Sequence, residues 1–122
     1  MNDLRKSGDW IDGGDSVLYQ QCTACDHSWY FYRGFCPSCG HDTQATLTST
    51  GLGSVHATTL VQRAPSDAFR AIAPYRLVLV DMAEGFRMMG HADPSLVIGE
   101  RVRCRVKTIA GRVLPYFDRE PA

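Results

Sequence analysis

The sequence predicts an all-β chain, a small metal-knit ribbon followed by a five-stranded barrel. Three observations predict it: two Cys-x-x-Cys turns ten residues apart, short β-prone runs punctuated by glycine from residue 43 onward, and one strictly alternating strand near the C-terminus. Two such turns supply four thiolates, the donor set of a closed tetrahedral metal site. A chain of 122 residues suffices for one ordinary domain, or for a metal-held lobe joined to a small barrel.

Residues 1–16 form a polar, glycine-containing N-terminal arm, with Trp10 and Ile11 as its apolar anchor. The arm is either loosely held or docks Trp10 on the ribbon or a partner. Residues 17–42 are the ribbon. Residues 17–21 enter the first knuckle as a strand, and the aromatic run 28–32 returns as a hairpin leg. Trp29, Tyr30, Phe31 and Tyr32 are expected to cover the metal lobe and its junction with the barrel.

The expected ligands are Cys22, Cys25, Cys36 and Cys39. Asp26 and Gly40 follow the second cysteine of each knuckle, where a left-handed backbone aims amides at thiolates. Four sulfurs leave zinc no open position, so the site is expected to be structural, with one ion per chain. So short a segment buries no sufficient core of its own. Metal binding has to stabilise it, by about 10–16 kcal/mol for structural zinc. His27 and His41 each lie two residues beyond a ligand cysteine and read as solvated knuckle residues.

Residues 43–118 are the expected barrel. Its first strand covers 45–50, bends at Gly51-Leu52-Gly53 and resumes over 54–62. A loop follows over 63–74, with a helical turn at 68–73. The nearly continuous apolar run 75–82 reads as a strand buried on both faces. Glu84-Gly85 turns the chain, and 86–91 return it. An irregular connection runs from Asp93-Pro94 to Gly99-Glu100. Over 101–108, Val102, Cys104 and Val106 point one way, while Arg101, Arg103, Arg105 and Lys107 point the other. Gly111 turns into the last strand, 113–117, and residues 119–122 are a tail. Five strands with a bent first member and an irregular link before the fourth fit a Greek-key barrel of the oligonucleotide/oligosaccharide-binding (OB) type.

Formal charge is zero, but residues 1–50 carry three basic and six acidic side chains against ten and seven in the remainder. The basic stripe on strand 101–108 has two readings. It is a solvated face that guards against aggregation, or a field that holds phosphates or an acidic protein surface. The four histidines are dispersed and define no catalytic motif, and Cys104 reads as an inert core thiol. The longest apolar stretch, 77–80, is too short to span a bilayer, and no export signal opens the sequence. A cytoplasmic protein with reduced thiols is therefore expected. An odd count of five cysteines also argues against a disulfide framework.

These pieces together resemble a known family. Cys22-Thr23-Ala24-Cys25 and Cys36-Pro37-Ser38-Cys39-Gly40 are followed by Gly51-Leu52-Gly53-Ser54-Val55, by Pro74-Tyr75 leading into Leu77-Val78-Leu79-Val80-Asp81, and by Glu84-Gly85. Ile98-Gly99-Glu100-Arg101-Val102 and Leu114-Pro115-Tyr116-Phe117 complete the pattern over about residues 17–118. The chain resembles proteins built from a rubredoxin-like zinc ribbon and an OB-fold barrel, long catalogued as a domain of unknown function. That resemblance implies a non-catalytic accessory subunit in a hetero-oligomer with a thiolase-superfamily enzyme. It also implies a role in acyl-CoA condensation, cleavage or acyl transfer. Many members carry a longer N-terminal helix; here Trp10-Ile11 stands in its place.

Coenzyme A needs cations for its phosphates and an apolar groove for the rest. The candidate anion partners are Arg63, Arg76, Arg87, Arg101, Arg103, Arg105 and Lys107. Phe69, Ile72 and Tyr75 are the candidate apolar contacts. The alternative function is single-stranded nucleic-acid binding by the barrel, which the neutral total weakens. A third reading, an iron-bearing electron carrier, follows because a four-sulfur shell suits iron as well as zinc.

Overall fold

The computed structural model describes residues 9–12, 14, 16–63 and 66–120. Of the expected arm, residues 1–8, 13 and 15 lie outside them. Its visible part is a single 3₁₀ turn, Trp10–Asp12. Three strands then form a small antiparallel sheet: β1 (Leu18–Cys22), β2 (Ser28–Trp29) and β3 (Gln44–Thr48), in the order β2-β1-β3. Five more make a closed barrel: β4 (Leu52–Val61), β5 (Tyr75–Met82), β6 (Arg87–Ala92), β7 (Arg101–Ile109) and β8 (Arg112–Arg119). They close in the order β4-β5-β6-β8-β7, the parallel pair β6–β8 being the only one not antiparallel among the described strands. This is the expected OB barrel behind a four-cysteine ribbon.

One boundary differs from expectation. Residues 45–50 do not open the barrel. Instead β3 pairs along its whole length with β1, from Leu18 opposite Thr48 to Cys22 opposite Gln44. The small sheet thus reaches past the 42/43 boundary read from sequence. The chain changes sheets at Ser49-Thr50, where the Glu84 carboxylate accepts from Ser49 Oγ (2.8 Å), Thr50 N (2.8 Å) and Thr50 Oγ1 (2.9 Å). The expected break falls at Gly51, with φ of 81°, and β4 carries a further register shift between Val55 and Ala57. Gly53 instead allows close approach: a Cβ there would lie 2.6 Å from the Asp81 carbonyl oxygen of β5.

The core lies inside the barrel, among Val55, Val78, Val80, Met88, Val102 and Phe117. Val17, Tyr19 and Phe86 extend it to the ribbon, where Phe86 stacks with Tyr19 at 4.8 Å and with Tyr30 at 5.7 Å. Trp10 packs against this cluster, and its indole N–H donates to Tyr30 Oη at 2.6 Å. The docked reading of Trp10 therefore holds, with the ribbon as its seat. The alternation of β7 is as expected, its four cationic residues all exposed. The reading of β5 needs correction. Val78, Val80 and Met82 are buried, but Leu77 and Leu79 are only half-buried, because no second layer covers the outside of the barrel. Among the described residues, no helix is long and apolar enough to cross a membrane.

Candidate functional site

The knuckle turns bring four sulfurs together. The Sγ atoms of Cys22, Cys25, Cys36 and Cys39 all lie within 4.8 Å of one another. Cys22 and Cys39 are separated by 3.6 Å, and Cys25 and Cys36 by 3.7 Å. A tetrahedron with metal–sulfur bonds of about 2.3 Å has edges of about 3.8 Å, so the cluster fits one ion.

Local sequence builds this geometry. Asp26 and Gly40 adopt φ of 63° and 82°, and their amides donate to the carbonyls of Cys22 (3.1 Å) and Cys36 (2.9 Å). The amides of Ala24 and Ser38 donate to the Cys22 and Cys36 sulfurs, each at 3.3 Å. Burial pushes the Cys36 thiol up, but the amides of Cys39 and Ser38 and two neighbouring thiols outweigh it and hold it at about 7. At Cys25 the His27 amide pulls down, while burial and the other three thiols push it up to about 12. A bound cation would displace the proton that Cys25 holds. Trp29 closes the inner side, packed on Cys22 and Cys36. Its indole N–H and the Arg33 amide both donate to Gln20 Oε1 at 2.7 Å.

A second feature lies outside the barrel. There a groove of roughly 580 Å³ runs between the ribbon and the β4–β5 loop. Its floor is Leu77, Leu79, Met89 and Leu114, the outward residues of β5, β6 and β8. Cross-strand register places Leu79 beside Met89 and Leu77 beside His91. Trp10, Tyr30 and Phe31 form one wall, and Phe69, Tyr75 and His91 the other. The second wall is a packed ring cluster, with Tyr75 and His91 stacked at 4.9 Å and Phe69 at 5.7 Å from each. Burial holds the His91 imidazole below its ordinary value, which favours the neutral ring. Phe31 is 72% exposed and Met89 59%, large apolar surfaces left to solvent.

The acyl-CoA candidates do not converge on one place. Phe69, Tyr75 and Arg87 line the groove, but Ile72 does not. Arg76 is spent on the fold, donating to the Pro94 carbonyl (3.1 Å) and Thr58 Oγ1 (3.0 Å). Arg87 is tied to Asp81 at 2.6 Å, and this bond holds the Asp81 carboxyl below its ordinary value. In the stripe, Arg101 pairs with Glu120 at 2.9 Å and Arg105 with Asp118 at 2.5 Å. Arg105 and Lys107 also lie over the Tyr116 ring, at 5.4 and 4.3 Å. Arg103 has no ion pair among the described residues, and Arg63 is exposed beside residues outside the description. Cys104 is indeed a muted thiol, pushed up to about 11 by burial.

Sequence reading missed Leu77, Leu79, Met89, His91 and Leu114 as surface residues. The alternation of Arg87, Met89 and His91 with Met88, Gly90 and Ala92 was the available signal. It marks one outward face carrying both charge and large apolar groups.

Comparison with known proteins adds the following. Residues 48–107 match the family model of the ChsH2 C-terminal OB-fold domain. The chain is 31% identical over 87 residues to a DUF35 domain-containing scaffold protein of Methanothermobacter thermautotrophicus, covering 67% of this chain and 65% of that one. It is 31% identical over 71 residues to another such scaffold protein, of Methanocaldococcus jannaschii, covering 57% and 50%. The chain thus spans 65% and 50% of the lengths of these curated relatives. Among solved structures it is similar to a chain of the Ltp2–ChsH2(DUF35) aldolase, with TM-score 0.71 and 27% identity over 85% of this chain and 84% of that one. A DUF35-family protein of unknown function from Sulfolobus solfataricus shares the fold, with TM-score 0.61 and 11% identity over 86% and 76%.

Proposed function

The chain belongs to the DUF35 family of ChsH2-type OB-fold proteins, and from that premise we propose that it is a non-catalytic accessory subunit of a thiolase-superfamily enzyme. Its work is to dock on that enzyme and support acyl-CoA condensation, cleavage or acyl transfer. The likeness to the ChsH2 component of an aldolase, across 85% of the chain, carries this reading. On this reading the ribbon holds a structural zinc ion, since four sulfurs leave no position for substrate.

Acyl-CoA contact belongs to the same reading. The exposed face of β7 carries Arg103, without an ion pair among the described residues, and Arg105 and Lys107 over the Tyr116 ring, and so offers charges for phosphates. Nucleic acid is disfavoured because two of the four stripe cations already face carboxylates, which leaves a weak field for a polyanion.

The test is co-expression with the thiolase-superfamily subunit encoded in the same genome neighbourhood. We expect a complex that survives size exclusion, and negligible turnover of acyl-CoA by the isolated chain. An isolated chain that turns over substrate at an ordinary enzymatic rate, or one that never joins that subunit, would overturn the proposal. Reversing Arg103 and Arg105 to glutamate should weaken calorimetric titration with acetyl-CoA by roughly tenfold or more, since each charge-assisted bond contributes about 1.5–3 kcal/mol. Unchanged titration would remove the stripe from the site.

A further inference from the structure

The groove outside the barrel has walls, a floor and a charge, and these together specify an occupant. Its floor is four large apolar side chains on three different strands, Leu77, Leu79, Met89 and Leu114. A barrel needs none of them outward for stability, since the interior is already filled by Val78, Val80, Met88 and Phe117. An open apolar face bounded by aromatic walls marks an interaction surface, not a solvated one.

The charges at its border are unbalanced. Asp81 is the acid beside the groove on β5, and it is bound to Arg87 and His56, at 2.6 and 3.3 Å. Asp118 on β8 is bound to Arg105. Arg112 lines the groove and has no carboxylate partner among the described residues. Lys107 sits directly across from Leu114 in the β7–β8 register, over a tyrosine ring and likewise without a carboxylate. Among the described residues, what is left over beside the apolar floor is positive.

We infer that this groove is the docking surface for the enzyme subunit, and that it receives an apolar segment flanked by aspartate or glutamate. The inference rests on the accessory-subunit reading and adds to it the face, the anchor residues and the chemistry of the partner. The segment is held through its side chains. It seats side chains on Met89, between Phe31 on one side and Tyr75 on the other, with its carboxylates toward Arg112 and Lys107.

The experiment uses the full chain and the same co-expressed subunit, with affinity read by biolayer interferometry at low and high salt. Met89→Glu places a carboxylate on the floor at a largely exposed position, so folding is retained; metal content and thermal melting check this. We expect affinity to fall roughly 30-fold or more, as for a central anchor of an interface. Arg112→Glu should weaken binding by roughly tenfold and reduce its salt dependence. A wild-type complex that neither substitution disturbs overturns the docking surface while leaving the accessory role standing. Absence of any wild-type complex overturns both. Two further results assign the groove elsewhere and overturn the inference. One is Met89 methyl shifts on adding decanoyl-CoA with none on adding the subunit, which marks an acyl-chain channel. The other is a homodimer that Met89→Glu splits in sedimentation, which marks self-association.

Discussion

A methyl group at position 90 would sit 2.8 Å from the Phe117 ring and 2.9 Å from the Pro115 carbonyl oxygen. Phe117 is fully buried, so the ring has nowhere to retreat. Gly90→Ala should therefore cost about 1–3 kcal/mol, the usual range for overpacking, and lower the urea midpoint at unchanged slope. Glu84 holds by a different force. Burial raises its carboxyl pKa, but the hydrogen bonds from Thr50 and Ser49 outweigh this and leave it below the ordinary value. A carboxyl with a depressed folded pKa stabilises fully above its unfolded value of about 4.3, and that contribution disappears as pH falls through the folded one. Glu84→Gln should lower stability at pH 7 by about 1–2 kcal/mol, for loss of a charged acceptor. Its urea midpoint should also change less than the wild type's on acidification to pH 3. Parallel acid dependence in the two proteins would show that Glu84 is not the group involved.

At the scale of elements, the ribbon and the barrel were legible to different depths. The knuckles were readable because their information is local: four residues set the sulfurs, and Asp26 and Gly40 set the turns. Strand β7 was equally plain, since an Arg/Lys face against Val102 and Val106 has one physical solution. The β3–β4 passage was not. Residues 44–61 read as β-prone throughout, and the signal for changing sheets is Glu84, which reaches across from a distant hairpin. The groove was hidden for the same reason, because its floor is assembled from three strands whose contiguity is a matter of topology. The Leu77–Val80 run could not announce that half of it faces outward. A prediction belongs here. Cys36→Ser removes a ligand on the buried side of the cluster and should lower bound zinc from about one per chain. The near-ultraviolet signal of Trp29, which packs on that cysteine, should collapse with it. Retained zinc and an unchanged spectrum would contradict a four-sulfur site.

Across the whole molecule, the metal lobe and the barrel share one core. Val17 and Tyr19 belong to the ribbon side yet pack in the same cluster as Val80 and Phe117. Chelation of the metal should thus loosen the barrel as well as the ribbon. Losing the Tyr19–Phe86 contact alone would remove about 1.5–3 kcal/mol of aromatic burial. Hydrogen exchange should report it as faster exchange at Met82, whose amide donates to the Phe86 carbonyl at 2.8 Å, with Val102 far less affected. Equal acceleration everywhere would mean that the two parts unfold as one unit.

The closed ring of strands has a further consequence for how such a scaffold diversifies. The groove lies on the outward faces of its strands, so a visiting protein there reads the side chains that decorate the barrel's exterior. Exchanging Met89, Leu114 or Arg112 for other side chains would redirect the choice of companion without disturbing a single hydrogen bond of the ring. One skeleton can in this way serve enzymes of quite different substrate.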